Sequence, residues 1–392
     1  MNETRRPQRP FEFLSAGRIV FGSGSAISLG ERAARFGRRA LLVTGKNAER
    51  TQVVRAVLEA AGIECAAVSV AAEPCVADAL AAVELGRAHG VELVVACGGG
   101  SVIDLGKAAA ALLTNLQDPF EYLEVVGRGL PLVRPALPVV ALPTTAGTGA
   151  EVTKNAVLAS PEHQVKASLR HDSMLPAVAI VDPELTLSVP AAVTAATGLD
   201  ALTQCLEPFV SCLSNPLTDA IALEGLRRGA RALPLAFRNG SDLAAREDMA
   251  LCSLFGGLSL ANAKLGAVHG FAAPIGGQFD APHGAVCARL LPLVMRANIA
   301  ALRERQPKSP LLERFDVVAQ ALTGQPQAKA ADGIAFVQAL ADELAVPGLA
   351  SYGVTAAHIP DLVTKAAAAS SMKGNPLPLT PAELSAILEQ AL

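Results

Sequence analysis

Short apolar runs alternate with helical stretches through the first half of this 392-residue chain and then disappear. Runs of this length, rich in Val, Leu and Ala, indicate buried strands, and the periodic stretches between them indicate helices. A sheet built in this way is mainly parallel and is covered by helices on both faces. The predicted strands are 39–44, 64–70, 93–97, 138–142 and 177–181, and the predicted helices between them are 26–36, 49–61, 76–88 and 102–114.

A change of pattern near residue 190 indicates a second domain. We predict an α/β domain over residues 1–187 and an all-helical domain over residues 188–392. The segment Phe11–Phe21 is predicted to form a short edge hairpin that closes at Gly22-Ser23-Gly24. The predicted helices of the second domain are 190–212, 216–237, 243–263, 284–304, 311–323, 328–344, 355–370 and 380–392.

The composition argues against several classes of partner. A formal net charge of −3 gives no reason to expect nucleic acid or an anionic membrane as a partner. We find no uncharged apolar run with the character of a membrane span, and no apolar segment of a signal peptide follows the N-terminus. The seven cysteines form no C-x-x-C pair, which indicates reduced thiols and a cytoplasmic location.

A glycine cluster follows the predicted strand 93–97 and precedes a predicted helix. Gly98, Gly99 and Gly100, followed by Ser101, free backbone N–H groups to face an anion, and the helix N-terminus adds partial positive charge. A pyrophosphate suits such a cradle. The alternative is a tight strand-to-helix turn, for which one glycine would suffice.

A second polar segment, LPTTAGTGAEVTKN, follows the predicted strand 138–142. Thr144, Thr145 and Thr148 stand there among glycines, as expected at a ligand crevice of an open sheet. A polar loop that caps the next helix is the alternative interpretation.

At the end of the predicted strand 39–44, Gly45 occupies the place where an acidic residue would bind the ribose hydroxyls, and Lys46 follows. This favours NADP weakly over NAD.

Four polar residues in the second half have the types of a metal site. Asp200 and Gln204 are four residues apart, so they share one face of a predicted helix. His269 and His283 are each followed by glycine, and imidazole is the commonest neutral metal ligand. Together these residues could hold a divalent metal. The alternative is a pair of structural histidines, a carboxylate near a helix N-terminus and a plain polar glutamine.

With these motifs in order, the chain resembles the iron-containing (group III) alcohol dehydrogenase family of the dehydroquinate synthase-like superfamily. The resemblance rests on GGGSVIDLGK at 98–107, LPTTAGTGAEVT at 142–153, the segment from VDPELTLSVP to GLDAL at 181–202, and the two histidines with their APHGAVCA ending. It implies a nucleotide-binding α/β domain, a helical domain and an active site between them.

The resemblance also implies roles for single residues. Asp200, His269 and His283 stand where the family holds Fe²⁺ or Zn²⁺, whereas Gln204 replaces the family's usual fourth ligand, a histidine. Ala273 replaces a histidine that could relay a proton, and Gly45 replaces the ribose-recognising aspartate. The positions that match the family's NAD(P) contacts are Gly98, Gly99, Gly100, Ser101, Val102, Thr144, Thr145, Thr148, Lys166 and Leu187.

From this resemblance we expect an NAD(P)-dependent alcohol dehydrogenase or aldehyde reductase acting on a small molecule, with Asp200, His269 and His283 as catalytic residues and the metal as Lewis acid. A neutral amide is a weaker ligand than imidazole, so a metal-independent reaction like that of maleylacetate reductases is the main alternative. A lyase resembling dehydroquinate synthase, or a binding protein without catalysis, is less favoured. The resemblance further implies a homodimer or larger homo-oligomer.

Overall fold

The computed structural model of the protein describes residues 10–46, 48–163, 165–279 and 281–392. A six-stranded sheet fills the first half, with the spatial order β1-β8-β5-β4-β2-β3 and parallel pairing at every neighbour. Its strands are β1 (Ile19–Phe21), β2 (Arg39–Gly45), β3 (Glu64–Val70), β4 (Leu93–Gly98), β5 (Val139–Pro143) and β8 (Val178–Val181). Two further strands, β6 (Asn155–Ser160) and β7 (Val165–Arg170), form a separate antiparallel pair.

Helices cover both faces of the sheet, as the strand pattern predicts. Along the buried strand β4, Val94 and Ala96 pack into one hydrophobic core, while Leu93, Val95 and Cys97 pack into another. This alternation explains why the strand is apolar at every position. The helices of this half are α1 (Leu29–Ala33), α2 (Ala48–Ala60), α3 (Val76–Ala88) and α4 (Gly100–Thr114).

The second half is helical and is built around α5 (Ala191–Val210), most of whose side chains are buried. The prediction of an α/β part followed by a helical part is therefore confirmed. The other helices are α6 (Pro216–Arg238), α7 (Leu243–Ala263), α8 (Ala267–Gln278), α9 (His283–Arg305), α10 (Pro310–Thr323), α11 (Ala330–Glu343), α12 (Ile359–Ala368) and α13 (Pro381–Ala391).

The strand order places a switch in direction between β2 and β4. From β2 the chain crosses to β3 on one side, and it then returns to β4 on the other side. Ligands of open parallel sheets bind at such a point, beyond the carboxyl ends of the strands. Thr44 pairs with Cys97 there, so Gly45 and Gly98 end neighbouring strands at the same edge.

The predicted edge hairpin at Phe11–Phe21 is wrong. Only Ile19–Phe21 is a strand, and it pairs in parallel with β8. The backbone of Leu14 is bonded instead by the side chain of Asn262, which accepts from the Leu14 N–H at 2.5 Å and donates to its carbonyl at 2.8 Å. The Asn262 side chain of α7 therefore makes the backbone hydrogen bonds that a second hairpin strand would have made. No local sequence pattern predicts this contact.

Two elements were absent from the predicted set. The pair β6–β7 alternates buried and half-buried residues, a pattern that the sequence does contain. Helix α8 is not predicted because Gly270, Pro274 and Gly276 interrupt its helical pattern.

Helix α9 is long and apolar enough to cross a membrane, but 78% of its most apolar window is buried inside the fold.

Candidate active site

Three helices of the second half bring four side chains to one point. Asp200 comes from α5, His269 from α8, and His283 with Cys287 from the first turns of α9. One ligand atom from each of the four lies within 4.8 Å of all the others. Asp200 Oδ1 is 3.2 Å from His269 Nε2 and 3.8 Å from His283 Nε2, and the two imidazole centroids are 5.4 Å apart.

The same point collects polar atoms that the fold leaves unsatisfied. Asp200 Oδ1, Gln204 Oε1 and His269 Nε2 are buried and have no hydrogen-bond partner within the described part of the chain. Burying such groups without partners costs about 1–3 kcal/mol each, and a cation bound here would offset that cost. Carboxylate oxygen, amide oxygen and imidazole nitrogen all suit a divalent cation. The residues present therefore fit a metal ion.

Electrostatics at the cluster also favour a cation. Burial raises the pKa of the Asp200 carboxyl, but His283 and His269 outweigh burial and hold that pKa below its usual value. Burial lowers the pKa of His269, but Cys287, Asp200 and Glu207 together raise it well above its usual value. Positive charge is thus stabilised here, whether it comes from protons or from a metal.

Glu207 also contacts the cluster, and sequence reasoning missed it. Its Oε2 accepts a 2.7 Å hydrogen bond from His269 Nδ1, and its Oε1 accepts one of 2.8 Å from the Val268 N–H. A proton on Nδ1 leaves Nε2 as the free nitrogen that faces Asp200. The signal was the spacing: Asp200, Gln204 and Glu207 repeat at helical intervals on the buried face of α5.

Cys287 was also missed as a site residue. It follows His283 by one helical turn, and its Sγ lies 3.7 Å from His283 Nε2. The four-residue spacing was the available signal, but the thiol was counted only as one of seven scattered cysteines. Ala273, in contrast, lies one turn after His269 and is exposed.

The glycine cluster and the threonine segment meet at the switch point. A Cβ at Gly99 would lie 3.3 Å from Thr145 Oγ1, and one at Gly100 would lie 2.8 Å from Thr148 Oγ1. The Thr144 N–H donates to the Gly98 carbonyl at 3.0 Å. Methyl groups at Gly99 and Gly100 would therefore crowd the threonines at the N-terminus of α4. The phosphate-binding role of these glycines stays a prediction.

The remaining predicted cofactor residues occupy different places. Val102 packs its side chain against Gly98, and its N–H already donates to the Gly99 carbonyl at 3.0 Å. Ser101 is half-buried in the first turn of α4. Lys166 lies against Gly276 of α8 and forms an ion pair with Glu73, so it stands at the cleft between the halves.

Gly45 and Leu187 complete the predicted cofactor set. The position of a Cβ at Gly45 is open, with no atom within 4 Å among the described residues. Leu187 is half-buried just before the helical half, and its carbonyl lies 3.8 Å from the position of a Gly240 Cβ. These contacts leave the cofactor roles of both residues as predictions.

One loop joins the cradle to the metal-ligand cluster. A Cβ on Gly147, which lies between Thr145 and Thr148, would be 2.7 Å from Thr197 Cβ. Thr197 is on α5, three residues before Asp200. The segment that carries the threonines therefore packs directly against the helix that carries the cluster, so the glycine cradle and the cluster are neighbours.

Comparison with known proteins agrees with this two-part geometry. A family model described as "Iron-containing alcohol dehydrogenase" matches residues 16–183, and "Fe-containing alcohol dehydrogenase family, C-terminal" matches residues 194–392. The chain belongs to the iron-containing alcohol dehydrogenase family. As a member of that family it is an oxidoreductase that acts on CH–OH groups, and membership implies a metal and NAD(H) binding.

Individual members of this alcohol dehydrogenase family match over nearly their full length. A 1,3-propanediol dehydrogenase of Klebsiella pneumoniae is 36% identical over 98% of this chain and 99% of the relative. A crystal structure of 1,3-propanediol oxidoreductase matches with a TM-score of 0.91 at 35% identity, over 98% of this chain and 100% of that one. A sulfoacetaldehyde reductase from Bifidobacterium kashiwanohense in complex with NAD+ gives a TM-score of 0.86 at 29% identity, over 98% and 99% of the two chains.

Proposed function

We propose that this protein interconverts a small alcohol and its aldehyde with NAD(P)H, and that Asp200, His269 and His283 hold a divalent Fe²⁺ or Zn²⁺ ion. The observation that carries the proposal is the set of buried, unpaired atoms on Asp200, Gln204 and His269, placed next to a phosphate cradle. When bound, the cation supplies Lewis-acid polarisation of the substrate oxygen and the nicotinamide supplies or accepts the hydride.

The protein's own residues provide position and electrostatics. Glu207 fixes the His269 ring so that Nε2 faces the cluster, and Gln204 donates to Asp200 Oδ2 at 2.9 Å, which fixes the carboxylate. The side chain of His283 is 36% exposed, so it is the ligand nearest to the open side of the cleft. Ala273 has no titratable group, and we infer that the reaction proton travels through water or ribose hydroxyls.

We propose that NADPH is accepted at least as well as NADH. Support comes from Gly45, which ends β2 at the switch point, has no carboxylate and leaves open space around it. Gly45→Asp should lower the ratio of kcat/KM for NADPH to kcat/KM for NADH about tenfold or more, ~1.4 kcal/mol, because a carboxylate repels the 2′-phosphate. Ser241→Asp, which adds the same charge at an exposed site elsewhere, should leave the ratio unchanged.

We further propose a cytoplasmic homodimer or larger homo-oligomer. All seven cysteines are free of disulfides in the structure, which suits a reducing compartment. Light scattering on the purified protein measures the oligomeric state. A monomer at working concentration would contradict this assignment.

The proposed function is tested by metal analysis together with activity. The purified protein is assayed for oxidation of NADH and NADPH with a panel of small aldehydes, before chelation, after chelation, and after Fe²⁺ or Zn²⁺ is returned. We expect about one metal per chain, loss of activity on chelation, and recovery with one of the two ions.

A reaction without metal, like that of maleylacetate reductases, is the alternative. Gln204 supports it, since an amide is a weak ligand for Fe²⁺ or Zn²⁺. Full activity in metal-free protein would favour that alternative and would refute the Lewis-acid role. The family match favours an oxidoreductase over the lyase hypothesis, and any turnover of NAD(P)H would contradict a binding protein without catalysis.

A further inference from the structure

We infer that Cys287 is the fourth protein ligand of the metal and replaces the ligand that is missing at Gln204. This inference deepens the proposed function and rests on its metal site. Cys287 is fully buried, and its sulfur belongs to the four-residue group whose ligand atoms all lie within 4.8 Å of one another.

The geometry of the group is that of one coordination shell. A tetrahedral centre with metal–ligand bonds of about 2.0–2.3 Å has neighbouring ligand atoms about 3.3–3.8 Å apart. The measured separations are 3.2 Å between Asp200 Oδ1 and His269 Nε2, 3.8 Å between Asp200 Oδ1 and His283 Nε2, and 3.7 Å between His283 Nε2 and Cys287 Sγ. The other three pairs lie within 4.8 Å, so one cation would contact all four atoms once the side chains draw together around it.

Two other buried residues of the cluster support the Cys287 thiol as a ligand. Asp200 is 1% exposed and His269 is 5% exposed, and each has an unpaired atom in the cluster. The sulfur therefore lies at a point that two other buried groups already define as a ligand site. Helix α9 fixes the spacing, because His283 and Cys287 are one helical turn apart and their side chains share a face.

Chemistry favours the sulfur over the amide. A thiolate is a strong, charged donor for Zn²⁺, Co²⁺ and Fe²⁺, whereas the Gln204 amide oxygen is a neutral and weaker donor. Binding of the metal displaces the proton of the Cys287 thiol into solvent. Asp200 and Cys287 then bring two negative charges to the ion, and the two imidazoles remain neutral. Substrate would approach the site from the exposed side of His283.

The test uses Co²⁺ as a spectroscopic probe in the full-length protein. The protein is stripped with a chelator and reloaded with Co²⁺, and its near-ultraviolet absorption is recorded. Wild-type protein should show a sulfur-to-cobalt charge-transfer band. Cys287→Ser should lose the band and bind Co²⁺ more than about tenfold more weakly, because even outer-shell changes cost about 10–100-fold.

Two control variants isolate the sulfur. Cys252→Ser changes another fully buried cysteine, on α7, and should keep the band. Cys65→Ser changes a half-buried cysteine on β3, outside the cluster, and should also keep the band. A band that survives in Cys287→Ser, or stoichiometric Co²⁺ in wild-type protein without a band, would overturn the inference and leave the metal site of the proposed function intact.

A second measurement does not depend on any variant. X-ray absorption at the zinc edge of Zn²⁺-loaded wild-type protein should show one sulfur scatterer at about 2.3 Å. A shell of nitrogen and oxygen alone would overturn the role of Cys287. Failure of the protein to bind any divalent metal would overturn the proposed metal function itself, and this outcome is distinct from a bound metal without sulfur.

Discussion

At the scale of single residues, the site depends on polar groups buried in an apolar helix. Asp200, Gln204 and Glu207 lie on the buried face of α5, where each is less than 5% exposed. Isolated charges at such positions are costly, and they persist because each finds a partner or a metal. Glu207 is the clearest case, since both of its oxygens accept hydrogen bonds from α8.

Glu207→Gln should weaken metal binding about 10–100-fold, because the amide holds His269 less firmly and lowers its basicity. The measurement is metal affinity by chelator competition. Glu224→Gln, at a half-exposed carboxylate of α6 that pairs with Arg228, serves as the matched control and should bind metal like the wild type. Equal affinity in the two variants would refute the positioning role of Glu207.

A second buried carboxylate, Glu151, gives stability a pH dependence. Burial raises the pKa of Glu151 from 4.5 to about 7, although a backbone hydrogen bond and Lys107 oppose the rise. A raised folded-state pKa means that the stabilisation from protonated Glu151 is complete below the unfolded pKa of 4.5 and is lost as pH rises through about 7.

Glu151→Gln removes this titration, so the variant should gain thermal stability relative to the wild type as pH rises from about 5 to about 8, by up to about 3 kcal/mol. The measurement is the midpoint of thermal unfolding of both proteins across that range. Parallel pH curves for the variant and the wild type would show that Glu151 does not titrate in this window.

At the scale of elements, the first turn of α4 and the loop after β5 form the cradle. The helix begins at Gly100, and its fully buried Lys107 donates to the Ala150 carbonyl at 3.0 Å and to Thr153 Oγ1 at 3.1 Å. Asp104 pairs with Lys107 at 3.1 Å and accepts from the Val157 N–H at 3.0 Å. These bonds fix α4 against the loop, so the two walls of the cradle keep their spacing.

Gly100→Ala should fill that cradle. The added Cβ would lie 2.8 Å from Thr148 Oγ1. We expect the dissociation constant of NADH to rise about tenfold or more, because the methyl group blocks approach of the phosphates, while helix propensity favours alanine by up to about 1 kcal/mol. Fluorescence titration with NADH measures the binding. Unchanged affinity would place the pyrophosphate elsewhere.

Prediction from the sequence succeeds at this scale wherever local pattern determines the element. Each of the five predicted strands is present, because a buried parallel strand is a short apolar run whatever its neighbours are. Three predictions failed: the hairpin at Phe11–Phe21, helix α8 and the pair β6–β7. The first two failed because a distant contact or interrupting glycines and proline outweigh the local pattern, whereas the alternating pattern of β6 and β7 is present in the sequence.

At the scale of the whole molecule, backbone contacts join the two halves. A Cβ on Gly257 of α7 would lie 2.6 Å from the Gly149 carbonyl oxygen and 2.7 Å from Gly149 Cα. Gly149 itself has a φ of 59°, in the left-handed region that favours glycine. The loop that carries Thr144, Thr145 and Thr148 is therefore positioned by the helical half.

Gly257→Ala should push this loop away from α7, and we expect a loss of about 1–3 kcal/mol of stability together with weaker NADH binding. Gly256→Ala is the matched control, because its added methyl group would face Gln204 Cβ at 3.0 Å within the helical half. Calorimetry and NADH titration compare the two variants. NADH affinity that falls equally in both would contradict the assigned contact.

Local patterns in the chain were enough to predict the five main parallel strands, the glycine cluster and the family, because strand runs, glycines after strands and ordered motifs are local properties. The sequence also supplied Asp200, Gln204, His269 and His283 as a candidate ligand set. Only the tertiary structure brought Glu207 and Cys287 into the same cluster and packed Gly147 against Thr197. Spacing along one helix relates Glu207 to Asp200 and Cys287 to His283, but the contacts between α5, α8 and α9 join elements that are distant in sequence. Their distances are therefore decided by how the helices pack.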